Sequence, residues 1–300
     1  MENLKNKEFH QANLEKDNKL LHKSIDWFIT KKCNSISCPF CYAPYDLFGE
    51  DVGIEAALKI CDELIKKEVD FVTLCGGEPL LFPYITEVIE YLYKNNVKVI
   101  LTTGLLVDNV IERISKIEDY LYMLSIPIDA ITDSTKTLLR GCYVFDIAKN
   151  LLERYKSKHM SPKIKIGTVV NAINISEIPD IYKFIYSYKE LSITWRLYMF
   201  SPFGLGEKNQ QLLLISLEEF EKIISTIYAM NVKCGEPISI SGRNRNDNIG
   251  YCMLMNSSGD FFLYNEDYIK LDVSIYDSYI EIVKMYDLKK YNEQKNWQIL

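Results

Sequence analysis

Three cysteines lie close together near the start of the chain, in a C-x4-C-x2-C arrangement. They are Cys33, Cys38 and Cys41, and this short spacing lets one loop wrap around a single metal centre. Thiolates are soft ligands that suit zinc or iron–sulfur clusters. A structural zinc site needs four protein ligands, and the nearest histidines, His10 and His22, lie upstream. Three cysteines suit a [4Fe–4S] cluster with one open iron, and structural zinc in a non-catalytic protein is the alternative.

A second candidate site follows a predicted strand, in the sequence Gly76-Gly77-Glu78-Pro79. Two glycines at the end of a strand allow the backbone to approach a ligand closely. The carboxylate of Glu78 can accept charge-assisted hydrogen bonds from an ammonium group. The same four residues are also typical of a tight loop without a ligand.

Alternating patterns predict the elements that position these residues. Strands are predicted over 25–30, 71–74, 97–101, 120–126, 163–170 and 192–200, and helices over 53–69, 84–94, 107–117, 146–158 and 175–189. Strands that alternate with helices indicate an α/β fold with a mostly parallel sheet. Six strands fall short of the eight of a closed barrel, so we expect a partial (β/α)6 barrel with its chemistry at the carboxyl ends of the strands.

The pattern changes after residue 200. Ser216 and Glu219 form a predicted capping box at the start of a helix. Short strands are predicted over 237–241, 251–256 and 261–264, and residues 257–260 are predicted to form a hairpin turn between the last two. These patterns divide the chain into a polar leader over 1–23, a barrel core over 24–200 and a small C-terminal α+β cap over 201–300.

Taken together, the cysteine loop and the glycine loop resemble the radical S-adenosylmethionine (SAM) superfamily, over about residues 25–200. The resemblance implies that Cys33, Cys38 and Cys41 ligate one [4Fe–4S] cluster and that SAM chelates its open iron. It assigns the methionine end of SAM to residues 76–79 and places Tyr42 beside the adenine. It also implies reductive cleavage of SAM to a 5′-deoxyadenosyl radical that abstracts hydrogen, with a flavodoxin- or ferredoxin-type electron donor.

In the commonest pattern of that superfamily three residues separate the first two cysteines, whereas four residues separate Cys33 from Cys38. Thr103, Asp129 and Arg140 are the candidates for contacts to the ribose and carboxylate of SAM. Asn171 and Trp195 are further cofactor-binding candidates. For both, a scaffold role is the alternative, because a tryptophan on a strand is often a core residue.

The second half of the chain resembles the viperin-type branch of the superfamily, whose members act on a nucleotide. This resemblance concerns residues 165–174 and 195–198. It predicts a small polar substrate, such as a nucleotide or sugar derivative, and a ribosomally made peptide is the alternative. Arg196, Tyr198, Arg243 and Arg245 are the substrate-binding candidates, and an arginine can hold a phosphate through two parallel hydrogen bonds.

The composition excludes several other functions. The 300 residues are 48% hydrophobic and carry a net charge of −6 without a basic stripe, which argues against a nucleic-acid partner. No apolar run reaches the ~20 residues that span a bilayer, and the polar start lacks a secretory signal, so we expect a cytoplasmic protein. The remaining cysteines are scattered, which predicts one cluster only and small buried thiols; they are Cys61, Cys75, Cys142, Cys234 and Cys252.

Overall fold

The structure is a computed structural model that describes residues 23–34, 38–158, 162–245, 247, 252–265 and 267–286. The predicted leader, apart from Lys23, lies outside the described residues. So does residue 251, where a strand was predicted to begin.

A single sheet of ten strands organises the described part of the chain. The strands are β1 Ser24–Thr30, β2 Phe71–Gly76, β3 Lys98–Thr102, β4 Met123–Pro127, β5 Lys163–Val170, β6 Ile193–Met199, β7 Ser239–Arg243, β8 Leu254–Met255, β9 Asp260–Asn265 and β10 Asp267–Ser274. Their order across the sheet is β10-β9-β8-β1-β2-β3-β4-β5-β6-β7. The strands from β1 to β7 run parallel to their neighbours, which confirms the six predicted strands and their order.

Helices connect the parallel strands, as in a partial barrel. They are α1 Ile54–Lys66, α2 Ile85–Lys94, α3 Val110–Ser115, α4 Asp133–Leu139, α5 Cys142–Ser157, α6 Ile178–Tyr186, α7 Gln210–Leu213, α8 Leu217–Lys233 and α9 Tyr279–Val283. Helix α1 shows how they pack, because Ala57, Ile60, Cys61 and Leu64 form its buried stripe at helical spacing. None of the described helices is long and apolar enough to cross a membrane.

The strands that follow residue 200 extend the sheet at both of its edges. Strand β7 pairs in parallel with β6, and β8 pairs in parallel with β1 on the far side. The predicted cap region therefore shares the sheet of the barrel. Its capping box at Ser216 and Glu219 is confirmed. The predicted hairpin is also confirmed, since Leu254 pairs with Phe262 and Gly259 occupies the turn at a φ of +93°.

Candidate active site

A cavity of about 360 Å³ opens at the carboxyl ends of the parallel strands. Cys33, Cys38 and Cys41 all line it, together with Gly76 and Gly77 from the end of β2. Chemistry in barrels of this architecture lies at this end of the strands. The structure thus brings the two sequence motifs to the same wall of one cavity.

The two glycines are required because the cysteine loop packs directly on them. Gly76 has a φ of +125°, and a Cβ atom there would lie 2.6 Å from the carbonyl oxygen of Thr30. A Cβ atom on Gly77 would lie 2.2 Å from the carbonyl oxygen of Lys32. The amide of Gly77 donates a 2.8 Å hydrogen bond to Thr30 O, and that of Glu78 a 2.7 Å hydrogen bond to Lys32 O. The glycines therefore admit the backbone that carries the cysteines.

Glu78 is buried and joins two loops at the cavity. Its carboxylate accepts hydrogen bonds from Thr103 Oγ1 at 2.8 Å, from the amide of Gly104 at 2.7 Å and from the amide of Leu80 at 3.2 Å. Burial raises the pKa of the Glu78 carboxyl, and these hydrogen bonds oppose the shift. The next residue, Pro79, begins a short 3-10 helix, is buried and does not line the cavity. Thr103 lines the cavity, with its hydroxyl donated to Glu78.

The neighbouring Thr102 was not among the predicted site residues. It ends β3 and lines the cavity. Its hydroxyl oxygen is buried without a hydrogen-bond partner in the described part of the chain. A buried hydroxyl of this kind is normally satisfied by water or a ligand, so the Thr102 hydroxyl fits a cofactor or substrate bound in the cavity.

The cysteine loop forms a turn in which the amide of Cys41 donates to Cys38 O at 3.2 Å. Cys38 is buried, whereas Cys33 and Cys41 are half-buried, and all three are free thiols. Burial raises the pKa of the Cys38 thiol, and the nearby charge of Arg140 opposes this. Metal binding would convert the three thiols to thiolates, since the thiolate is the ligand.

The described residues do not form a site for a single metal ion. In the residues that the structure describes, no three His, Cys, Asp or Glu side chains converge closely enough to hold one metal ion. A zinc ion needs its sulfur ligands at ~2.3 Å from one centre. A four-iron cluster is larger than one ion, so it does not require its ligands to converge on a single point. The structural zinc alternative therefore gains no support.

The half-buried Arg140 and the buried Asp129 form an ion pair beside this loop. Arg140 Nε lies 2.5 Å from Asp129 Oδ2, and Asp129 Oδ1 accepts a 2.7 Å hydrogen bond from the amide of Val169. Arg140 lines the cavity, but Asp129 does not. The structure thus places Asp129 behind Arg140, where both carboxylate oxygens are engaged by the protein.

Positively charged side chains line the cavity wall that strands β5 and β6 form. Lys165 on β5 and Arg196 on β6 line it although they are only 7% and 6% exposed. Tyr198, two residues after Arg196, lines the same wall, and its strand neighbour is Arg243. Burial alone would raise the pKa of Tyr198, but Lys165, Arg196 and Arg243 lower it below its usual value. This wall therefore carries positive charge.

Other predicted site residues are held by the protein itself. Arg245 lines the cavity, but its guanidinium donates to the carbonyls of Phe200 and Ile215 at 2.8 and 2.9 Å. Asn171 is fully buried in a turn, where its side chain bonds to backbone. Trp195 is fully buried and donates from Nε1 to Thr168 Oγ1 at 2.9 Å. Neither Asn171 nor Trp195 lines the cavity, so their placement agrees with a scaffold role, the alternative to cofactor binding.

Two further cysteines and several aromatic residues line the cavity. Cys75 and Cys252 were expected to be buried thiols, yet both are half-buried and line the cavity. That expectation is correct for Cys61 and wrong for Cys234, which is exposed at the end of α8. Tyr42 lines the cavity as expected and is 53% exposed. The other aromatic residues that line the cavity are Phe28, Phe40, Tyr45, Tyr198, Phe203, Tyr264 and Tyr268.

Residues 27–185 match the family model described as the radical SAM superfamily. The chain belongs to this superfamily. A relative from Selenomonas ruminantium, named S-adenosylmethionine-dependent nucleotide dehydratase, is 26% identical over 209 residues, which cover 67% of this chain and 74% of the relative.

Solved structures show a similar fold. SuiB of Streptococcus suis bound to S-adenosylmethionine gives a TM-score of 0.68 at 17% identity, covering 98% of this chain and 73% of that chain. SuiB bound to the precursor peptide SuiA gives a TM-score of 0.67 at 16% identity, covering 98% and 72%. The chain is thus a radical SAM enzyme with the partial barrel of that superfamily, whose members use an iron–sulfur cluster and SAM. This confirms the expected family, fold class and enzymatic nature.

Proposed function

We propose that Cys33, Cys38 and Cys41 hold a single [4Fe–4S] cluster, and that the enzyme removes hydrogen from an anionic small molecule, namely a nucleotide. When bound and reduced, the cluster supplies the electron that cleaves SAM to the hydrogen-abstracting 5′-deoxyadenosyl radical. A flavodoxin- or ferredoxin-type protein is the proposed electron donor. One cluster is supported by the C-terminal part of the chain, because its two cysteines, Cys234 and Cys252, form no C-x-x-C pair and lie on different parts of the fold.

SAM is proposed to bind between the cysteine loop and the ends of β2 and β3. Gly76, Gly77 and Glu78 line the cavity at this point. They are proposed to bind the amino group of the SAM methionine. Glu78 is held in position by Thr103, so Thr103 supports this contact from behind. The buried hydroxyl of Thr102 adds a donor and acceptor on the same side. Tyr42 offers an exposed ring for stacking against the adenine.

The positively charged wall carries the proposal of an anionic substrate. Lys165 and Arg196 come from adjacent parallel strands, so their charges reinforce each other within one enclosed cavity. The lowered pKa of Tyr198 reports the same positive field. Phosphate groups suit such a wall, because arginine binds them through two parallel hydrogen bonds. The similarity to a nucleotide dehydratase supports a nucleotide as the bearer of those phosphates.

The test begins with anaerobic reconstitution with iron and sulfide, followed by dithionite and SAM. Four nucleoside triphosphates (ATP, GTP, CTP and UTP) are added separately, each beside its unphosphorylated nucleoside, and 5′-deoxyadenosine is measured. We expect at least one triphosphate to accelerate its formation and the matching nucleoside to leave it unchanged. The chain with all three cluster cysteines replaced by alanine should form none.

Two variants locate the phosphate contact. Lys165→Met and Arg196→Met should each raise the nucleotide concentration for half-maximal stimulation by about tenfold or more, since a charge-assisted hydrogen bond contributes ~1.5–3 kcal/mol. Lys163→Met is the matched control, because Lys163 lies on the same strand, outside the cavity, and bonds to Tyr122 Oη. If no triphosphate stimulates, or if nucleosides work equally well, the nucleotide proposal is wrong. A peptide substrate then becomes the hypothesis to test.

A further inference from the structure

Arg140 connects four parts of the active-site wall. Its Nε pairs with Asp129, which follows β4, and Asp129 in turn accepts from the amide of Val169 on β5. Its Nη1 lies 3.8 Å from the position that a Cβ atom on Gly104 would take, so the guanidinium also reaches the loop after β3. The charge of Arg140 is thereby fixed in space by the strand ends.

The fourth connection runs to the cysteine loop. The guanidinium carbon of Arg140 lies 4.7 Å from the centre of the Phe40 ring. Phe40 is 3% exposed and stands between Cys38 and Cys41 in the sequence. A cation over an aromatic face is attracted to it, and the attraction strengthens where water is excluded. Arg140 therefore fixes the ring that separates two of the three cluster cysteines.

The two charges of the Arg140–Asp129 pair are placed unequally with respect to the cysteines. Arg140 lines the cavity with Cys38 and Cys41, whereas Asp129 lies behind it. The cysteines thus face the positive end of a fixed dipole.

We propose that Arg140 is a positioning residue that sets the reduction potential of the cluster, with Asp129 as its opposing partner. This inference rests on the cluster assigned under the proposed function. Reduction adds one negative charge to the cluster, and a fixed positive charge nearby stabilises the reduced form. The guanidinium therefore raises the potential, and the carboxylate behind it lowers the potential by a smaller amount.

Opposite shifts on removing the two charges are the signature of this arrangement. Arg140→Met removes the positive charge and leaves Asp129 facing the cluster, so the midpoint potential should become more negative. Asp129→Asn keeps the guanidinium and removes its counter-charge, so the potential should become more positive. Arg140→Lys keeps the charge and should remain close to the wild type. A purely structural role would move the Arg140→Met and Asp129→Asn potentials in the same direction.

The measurement is a redox titration of reconstituted protein, followed by electron paramagnetic resonance of the reduced cluster. Arg154→Met is the matched control, because Arg154 pairs with the buried Glu118 before β4, at the other end of the strands. Its potential should equal that of the wild type. Iron and sulfide content and circular dichroism are recorded for each protein, so that a change in folding is seen separately.

The outcomes separate this inference from the one on which it rests. If the wild-type chain assembles no cluster, the proposed function and this inference both fail. If the cluster assembles but the Arg140→Met and Asp129→Asn potentials move together or stay unchanged, only this inference is overturned. If Arg140→Met takes up no iron, the remaining variants decide: a positive shift in Asp129→Asn with an unshifted Arg140→Lys supports it, and no shift in Asp129→Asn overturns it.

Discussion

The backbone amide of Glu78 donates a 2.7 Å hydrogen bond to the carbonyl oxygen of Lys32, which joins the glycine loop to the cysteine loop. The adjacent Gly77 makes this approach possible, because a Cβ atom there would lie 2.2 Å from the same oxygen. The two motifs, 35 or more residues apart in the sequence, are thus one structural unit. A ligand held by one loop is positioned by the other.

Gly77→Ala should therefore displace the cysteine loop. No side chain can be accommodated 2.2 Å from a backbone oxygen, so the loop must shift and the three thiols lose their arrangement. We expect iron uptake on reconstitution to fall and SAM cleavage to decrease by at least about tenfold. Iron content and 5′-deoxyadenosine formation measure the two effects. Gly53→Ala is the control, since nothing lies within 4 Å of its Cβ position; equal losses in both variants would contradict the explanation.

Glu78→Gln should weaken the joint between the loops after β2 and β3. Thr103 and Gly104 donate to different oxygens of the Glu78 carboxylate, so the NH2 group that replaces one oxygen in glutamine cannot accept one of these two hydrogen bonds. A buried donor left unsatisfied costs ~1–3 kcal/mol, so the free energy of unfolding should fall by about this amount and SAM should bind more weakly. Urea unfolding and calorimetric SAM titration measure these effects. Glu112→Gln, at an exposed site, should change neither, and wild-type SAM affinity in Glu78→Gln would refute the role.

Trp195→Phe tests whether this tryptophan belongs to the core. Its Nε1 donates to Thr168 Oγ1 at 2.9 Å, and the ring is fully buried. Loss of that bond and of ring volume should reduce the free energy of unfolding by ~1–3 kcal/mol. The KM for SAM should stay at the wild-type value, because Trp195 does not line the cavity. A raised KM with unchanged stability would instead favour the cofactor contact suggested by sequence resemblance.

The buried Glu118 predicts a loss of stability in acid. Its carboxylate pairs with Arg154 at 2.5 Å, with Lys158, and with Tyr155 Oη at 3.0 Å. Burial alone would raise the pKa of Glu118, but hydrogen bonds from Lys158, Tyr155 and Arg154 lower it below its usual value. Its contribution to stability is thus complete above the unfolded-state pKa of about 4.3, and it is lost as the pH falls through the lower folded-state pKa.

Glu118→Gln should remove this part of the pH dependence. We expect a lower unfolding free energy at pH 7 and a flatter decline of stability between about pH 5 and pH 3 than in the wild type. Urea unfolding at several pH values measures both curves. Parallel curves for the two proteins would show that Glu118 does not contribute to the acid transition.

The sequence by itself determined the family, the alternation of parallel strands with helices and the grouping of three cysteines in one loop. These features are local: Cys33, Cys38 and Cys41 lie within one loop, and each strand shows its own run of apolar residues. Hairpin and capping signals are equally local, which explains why the turn near Gly259 and the helix start at Ser216 were predicted correctly.

Only the tertiary structure decided which polar residues face the cavity. Thr102 and Thr103 are neighbours in the sequence, and the local pattern does not distinguish their two hydroxyls. Barrel curvature and contacts with distant residues decide which of the two hydroxyls already has a hydrogen-bond partner in the protein. In the same way Lys165 joins Arg196 because β5 and β6 are adjacent, whereas Trp195, one residue away, points into the core. Cys252 reaches the cavity because β8 pairs with β1, across more than 200 residues of chain. Such contacts depend on the register and closure of the whole sheet, which no local pattern encodes.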